Sequence, residues 1–93
     1  MKIVLNGCYG GFSLSEKAME MLGADSPYDY DDADLRFDSR LIEVVEELGD
    51  EASGEYADLY IVDLPDDITD YRIVVNDGIE EVIYVVNGKI HIE

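Results

Sequence analysis

Leu41-Ile42-Glu43-Val44-Val45-Glu46-Glu47-Leu48-Gly49 is the stretch on which the fold turns. Leu41, Val44, Val45 and Leu48 fall at i, i+3, i+4 and i+7, a single helical stripe, and Glu43, Glu46 and Glu47 lie on the opposite face. Asp38 or Ser39 can cap the start by accepting a free backbone N–H, and Gly49 can adopt the left-handed turn just past the end. A helix with one apolar stripe must lie on apolar surface. The β-rich second half of the chain supplies it, so the expected class is α+β.

Working towards the N-terminus, Lys2-Ile3-Val4-Leu5-Asn6 is an apolar, β-branched run ending at Gly7, as a buried and central strand would. Cys8-Tyr9-Gly10-Gly11-Phe12 then makes a tight glycine turn. Ser13-Leu14-Ser15-Glu16 reads as a capping box, Ser13 capping and Glu16 reaching back. Leu14, Ala18, Met21 and Leu22 form the stripe of a first helix, which Gly23 ends. Residues 24–37 show no helical or strand period and alternate aspartates with Tyr28 and Tyr30, so they are expected to form an exposed acidic loop.

Working towards the C-terminus, Leu59 to Leu64 is a strand stopped by Pro65. Tyr71 to Val75, Glu80 to Val86 and Lys89 to Ile92 are three more, joined by Asp77-Gly78 and Asn87-Gly88. Those dipeptides suit two-residue hairpin turns, whose central positions both need φ > 0. The turns set the register: Val85 faces Ile90, Ile83 faces Ile92, Tyr84 faces His91, Ile73 faces Val82 and Tyr71 faces Tyr84. The order is β-α-α-β-β-β-β, about five mixed or antiparallel strands with two helices on one face, in a single domain spanning 1–93. The first two strands are expected to be parallel through a right-handed helical crossover. Both sheet faces carry large apolar groups, so the uncovered one is expected to bind a second copy or a partner. If the helices cover Ile83, Val85, Ile90 and Ile92, the open patch is Tyr71, Ile73, Val82 and Tyr84.

The chain of 93 residues carries 23 acids against 6 bases, a net charge of −17, and a 47% hydrophobic content that excludes a disordered chain. The acid is concentrated: Asp25 to Asp70 holds seventeen acids against Arg36 and Arg40, net −15, and Tyr71 to Glu93 is net −2. Such a field repels nucleic acid and anionic membranes and attracts basic surfaces. One cysteine permits no internal disulfide. No secretory leader and no run of roughly 20 apolar residues is present, so neither secretion nor membrane spanning is indicated and a reducing cytoplasm fits.

Enzymatic and cofactor chemistry finds little support. Gly7, Gly10 and Gly11 lie between a strand and a helix, but no G-x-G-x-x-G and no following Lys-Ser/Thr accompanies them. Cys8 is read as a small buried residue and His91 as a solvent-facing strand residue, with no reason for them to meet. An EF-hand starting at Asp29 would need Gly and Glu where Asp34 and Arg40 stand. No catalytic residue, cofactor or metal is assigned.

What remains is the acidic surface. Asp25, Asp29, Asp31, Asp32, Asp34 and Asp38, with Tyr28 and Tyr30 between them, can present spaced carboxylates, and Glu43, Glu46 and Glu47 extend the field. Neither set belongs to a core-forming pattern. A protein that grips nucleic acid does so largely through Lys and Arg on phosphates, so such an array can occupy the same basic groove. The tyrosines supply contact anchors.

Lys2-Ile3-Val4-Leu5-Asn6-Gly7-Cys8-Tyr9-Gly10-Gly11-Phe12-Ser13-Leu14-Ser15, with Val44-Val45-Glu46-Glu47-Leu48-Gly49, Ala57-Asp58-Leu59 and Ile61-Val62-Asp63-Leu64-Pro65-Asp66-Asp67, resembles a family of short phage and prophage proteins of unassigned function. The resemblance implies a phage setting, and with it a bacterial host cytoplasm, and carries over no catalytic residue. Small acidic accessory phage proteins include inhibitors of host defence such as anti-CRISPR proteins, some of which mimic nucleic acid. The expectation is therefore a non-enzymatic inhibitor of a basic, nucleic-acid-handling host protein. The alternative is a structural or regulatory phage protein that oligomerises through its sheet, its charge serving solubility.

Overall fold

The computed structural model describes all residues from Met1 to Glu93. Five strands and two α-helices confirm the α+β class: β1 (Lys2–Asn6), α1 (Glu16–Leu22), α2 (Ser39–Leu48), β2 (Leu59–Asp63), β3 (Asp70–Asn76), β4 (Ile79–Val86) and β5 (Lys89–Ile92), with short 3₁₀ turns at Ala33–Phe37 and Gly49–Ala52. The strands form two sheets, β1-β2 and β3-β4-β5.

The alternation of β1 explains the layering. Val4 joins a core with Leu59, Ala18, Leu22, Leu41, Val44 and Val45 on the helical side. Its neighbours Ile3 and Leu5 join a second core with Val82, Tyr84 and Leu64, against β4. Successive side chains of a strand point to opposite faces, so β1 is the wall between two cores. The helices lie on one side of the β1-β2 ribbon and the three-stranded sheet on the other.

β1 and β2 are antiparallel, with Asn6 beside Leu59 and Lys2 beside Asp63, which corrects the expected parallel crossover. A one-helix connection carries the chain to the far end of the sheet; here the excursion through two helices returns it to the end it left. Nor is β1 central, since it pairs with β2 alone.

The hairpins follow the expected register: Tyr71 opposite Tyr84, Ile73 opposite Val82, Ile83 opposite Ile92 and Val85 opposite Ile90. Asp77 and Asn87 have φ of 54° and 52°, each followed by a positive-φ glycine, the backbone of the tight primed turns. The covered face is the one carrying Val82 and Tyr84. The conditional assignment of these residues to an open patch is therefore reversed: Ile83, Val85, Ile90 and Ile92 line the outer face. The expected cover is also different, because the β1-β2 ribbon packs there instead of the helices.

The central helix keeps its expected boundaries, and Leu41, Val44 and Val45 are buried. Asp38 caps it, its carboxylate accepting from the N–H groups of Arg40 and Leu41. The first helix begins later than the capping box predicts. Ser15, two residues beyond Ser13, accepts from the Ala18 N–H at 3.1 Å, and Leu14 forms a β-bridge with Ser53. Ser13 is occupied by that bridge region, its carbonyl accepting from Gly54 N–H.

Candidate acidic interface

Residues 24–37 are not uniformly exposed. Arg36 is 2% exposed, and its planar guanidinium explains how the segment is held. Its two terminal nitrogens donate to the Glu80 carboxylate at 2.5 and 2.7 Å. One also donates to the Val4 carbonyl, and the other to Asp31 Oδ1. Nε donates to the Asp31 carbonyl. The guanidinium also lies 3.9 Å from the centre of the Phe12 ring, an attraction of cation for ring face. Glu80 is 3% exposed and also accepts from Asn6 N–H at 2.8 Å. Val4 C=O and Asn6 N–H point away from β2, so the ion pair satisfies the free edge of β1 as another strand would.

Several expected interface carboxylates also have partners within the chain. Asp29 accepts from the N–H groups of Asp25 and Ser26, Asp31 binds Arg36, and Asp38 caps α2. Asp34 accepts from the Tyr71 hydroxyl at 2.6 Å, which holds that phenol in its protonated form and pushes its pKa up to about 12. Glu46 takes Lys2 at 2.8 Å, raising the lysine pKa through that hydrogen bond first and the charge second. Asp25, Asp32, Glu43 and Glu47 are exposed, and none of their carboxylates is among the side-chain hydrogen bonds or ion pairs of the fold. Tyr28 projects, 62% exposed, while Tyr30 packs against the helical core. The structure thus divides the expected set into carboxylates that fasten the loop and carboxylates left facing water.

The Arg36–Glu80 pair was missed in the sequence, although a signal was present. Glu80 shares the β4 face of Val82 and Tyr84, and a charge on a buried face needs an opposite charge. Arg36 stands between Leu35 and Phe37, both half-buried.

At the other end of β1, the Asn6 side chain gathers three loops. Its amide nitrogen donates to the carbonyls of Cys8 and Gly78, and its oxygen accepts from the N–H groups of Asp58 and Cys8. The backbones there come so close that a Cβ on Gly10 would overlap Tyr56. This packing accounts for one glycine of the pair: the turn is a structural junction. Cys8 is half-buried where full burial is expected, and His91 stacks on Tyr84 with ring centres 5.2 Å apart.

No group of three or more His, Cys, Asp or Glu side chains converges as a metal site. No helix is long and apolar enough to cross a membrane. Comparison with known proteins finds no family model, no curated protein and no solved structure that matches the chain.

Proposed function

We propose that the chain is a phage-encoded acidic binding protein that inhibits a basic, nucleic-acid-handling host defence protein, in the manner of anti-CRISPR nucleic-acid mimics. The supporting observation is the fastening of the acidic segment. Asp29, Asp31, Asp34 and Asp38 are each held by hydrogen bonds within the fold, so the segment is ordered before any partner arrives. Preordering lowers the entropy cost of association. Asp25, Asp32, Glu43 and Glu47 then face solvent with Tyr28 among them, and these are the groups that would meet Lys and Arg.

The test is competition. A basic partner captured from host lysate is loaded with its own nucleic acid and titrated with the protein. Displacement of the nucleic acid, weakening steeply with salt, is expected. A partner that binds nucleic acid and this protein together would end the mimicry reading. The open apolar face of β3-β4-β5 favours a second reading, a non-enzymatic structural or regulatory phage protein that oligomerises through its sheet. Under that reading, removing the four free carboxylates would leave assembly unchanged.

A further inference from the structure

Four strands have an edge that no neighbouring strand shares, β1, β2, β3 and β5, and on that of β2 the Leu59 N–H is taken by the Ser53 hydroxyl at 2.8 Å. That of β1 is filled by Arg36 and Glu80. That of β3 is closed at one end, because the Tyr71 N–H is taken by the Asp70 carboxylate at 2.9 Å. The edge of β5 is different. Val82 and Glu93 exchange both backbone hydrogen bonds, so by alternation His91 and Lys89 also point their backbone groups at β4, leaving those of Ile90 and Ile92 directed outwards. Their side chains are 72% and 63% exposed.

We infer that β5 is a self-pairing edge: two copies of the chain join antiparallel along Lys89–Glu93, about a two-fold axis at His91, into one six-stranded sheet. This register sets Ile90 opposite the second copy's Ile92, twice, and makes these the hydrogen-bonded pairs, which uses every outward group of both strands. It also sets Lys89 opposite the second copy's Glu93, twice, joining unlike charges. Neighbouring registers lose this match. Centring on Ile90 places Lys89 against His91, and centring on Ile92 places Glu93 against His91.

The join also lies outside the acidic middle of the chain. Tyr71 to Glu93 carries net −2, against −15 for Asp25 to Asp70. The helical layer lies across the β1-β2 ribbon from this sheet, so a symmetric pair keeps its acidic helices outermost and accessible. This inference stands apart from the proposed mimicry, since neither needs the other.

The test is sedimentation equilibrium of the full chain at moderate salt, comparing the parent with Lys89→Glu, Glu93→Lys and the double exchange. The parent should form a dimer. Each single exchange sets like charges opposite one another at two symmetric places and should weaken the dimer about tenfold or more. The double exchange restores unlike pairs and should recover most of the affinity. Lys89 and Glu93 both lie at exposed positions, and circular dichroism verifies that each variant is folded. A parent that stays monomeric at high concentration would overturn the inference. So would a dimer indifferent to the single exchanges, or one that the double exchange fails to restore.

Discussion

Arg36 and Glu80, 44 residues apart in the chain, form a two-pronged ion pair that stands where a third strand would lie against β1. Removing one partner of a buried pair leaves a charge in an apolar surround, at a cost of about 3–5 kcal/mol. Arg36→Ala and Glu80→Ala should each lower the urea midpoint accordingly. Replacing both with apolar residues is often harmless elsewhere, but here Val4 C=O and Asn6 N–H would lose their partners, each costing about 1–3 kcal/mol. An Arg36→Met/Glu80→Leu double variant should therefore remain clearly less stable than the parent. Equal stability would show that the pair does not serve the strand edge.

Tyr71 reports on the contact between the acidic segment and the sheet. Its pKa is raised from 10.0 to about 12, chiefly by the hydrogen bond to Asp34 and then by burial. A raised folded-state pKa gives stability that is fully present below the unfolded value near 10 and is lost as pH rises through about 12. Ultraviolet titration of the parent against Tyr71→Phe should show a late-ionising phenol missing from the variant. The stability difference between the two should shrink across that pH window. A difference that stays constant to strongly alkaline pH would argue against the Asp34 contact.

The acidic residues should separate into two classes. The plain sequence pattern predicts that neutralising Asp29, Asp31, Asp32 and Asp34 together spares the fold. Three of these fasten the loop to backbone, Arg36 or Tyr71, so their joint change to Asn should destabilise by at least about 1–2 kcal/mol. Changing Asp25 and Asp32 to Asn with Glu43 and Glu47 to Gln should instead preserve or raise the melting temperature, because repulsion falls. In a captured basic partner, the same second set should slow association and flatten its salt dependence. Identical melting behaviour of the two sets would erase the distinction.

The paired glycines should differ in the same way. A Cβ on Gly10 would overlap Tyr56, whereas Gly11 has open space but φ of 85°. Gly11→Ala should cost about 1–2 kcal/mol from backbone strain. Gly10→Ala should cost more, since the Tyr56 loop must move. Chemical denaturation ranks them, and the reverse order would contradict the close approach.

Both hairpins were legible because Asp77-Gly78 and Asn87-Gly88 specify turn type and register locally. The central helix was legible because its stripe and caps agree. The β1-β2 direction was not, since it depends on where two helices deliver the chain. The cap of α1 shifted to Ser15 because the β-bridge at Leu14 takes the residues a longer helix would use. Among the interface residues, exposure could be read from the pattern. Which carboxylates are bonded could not, because Asp31 and Asp34 meet Arg36 and Tyr71 only once the chain has folded.

The position of β1 between two cores bears on how the molecule opens. Ile3 and Leu5 cannot leave one core without withdrawing Val4 from the other, so neither half can melt alone while that strand holds. Amide exchange reads such cooperativity directly. The N–H groups of Ile3 and Leu5 should be released only with the whole molecule, whereas the outer amides of Ile90 and Ile92 should exchange early in the single chain.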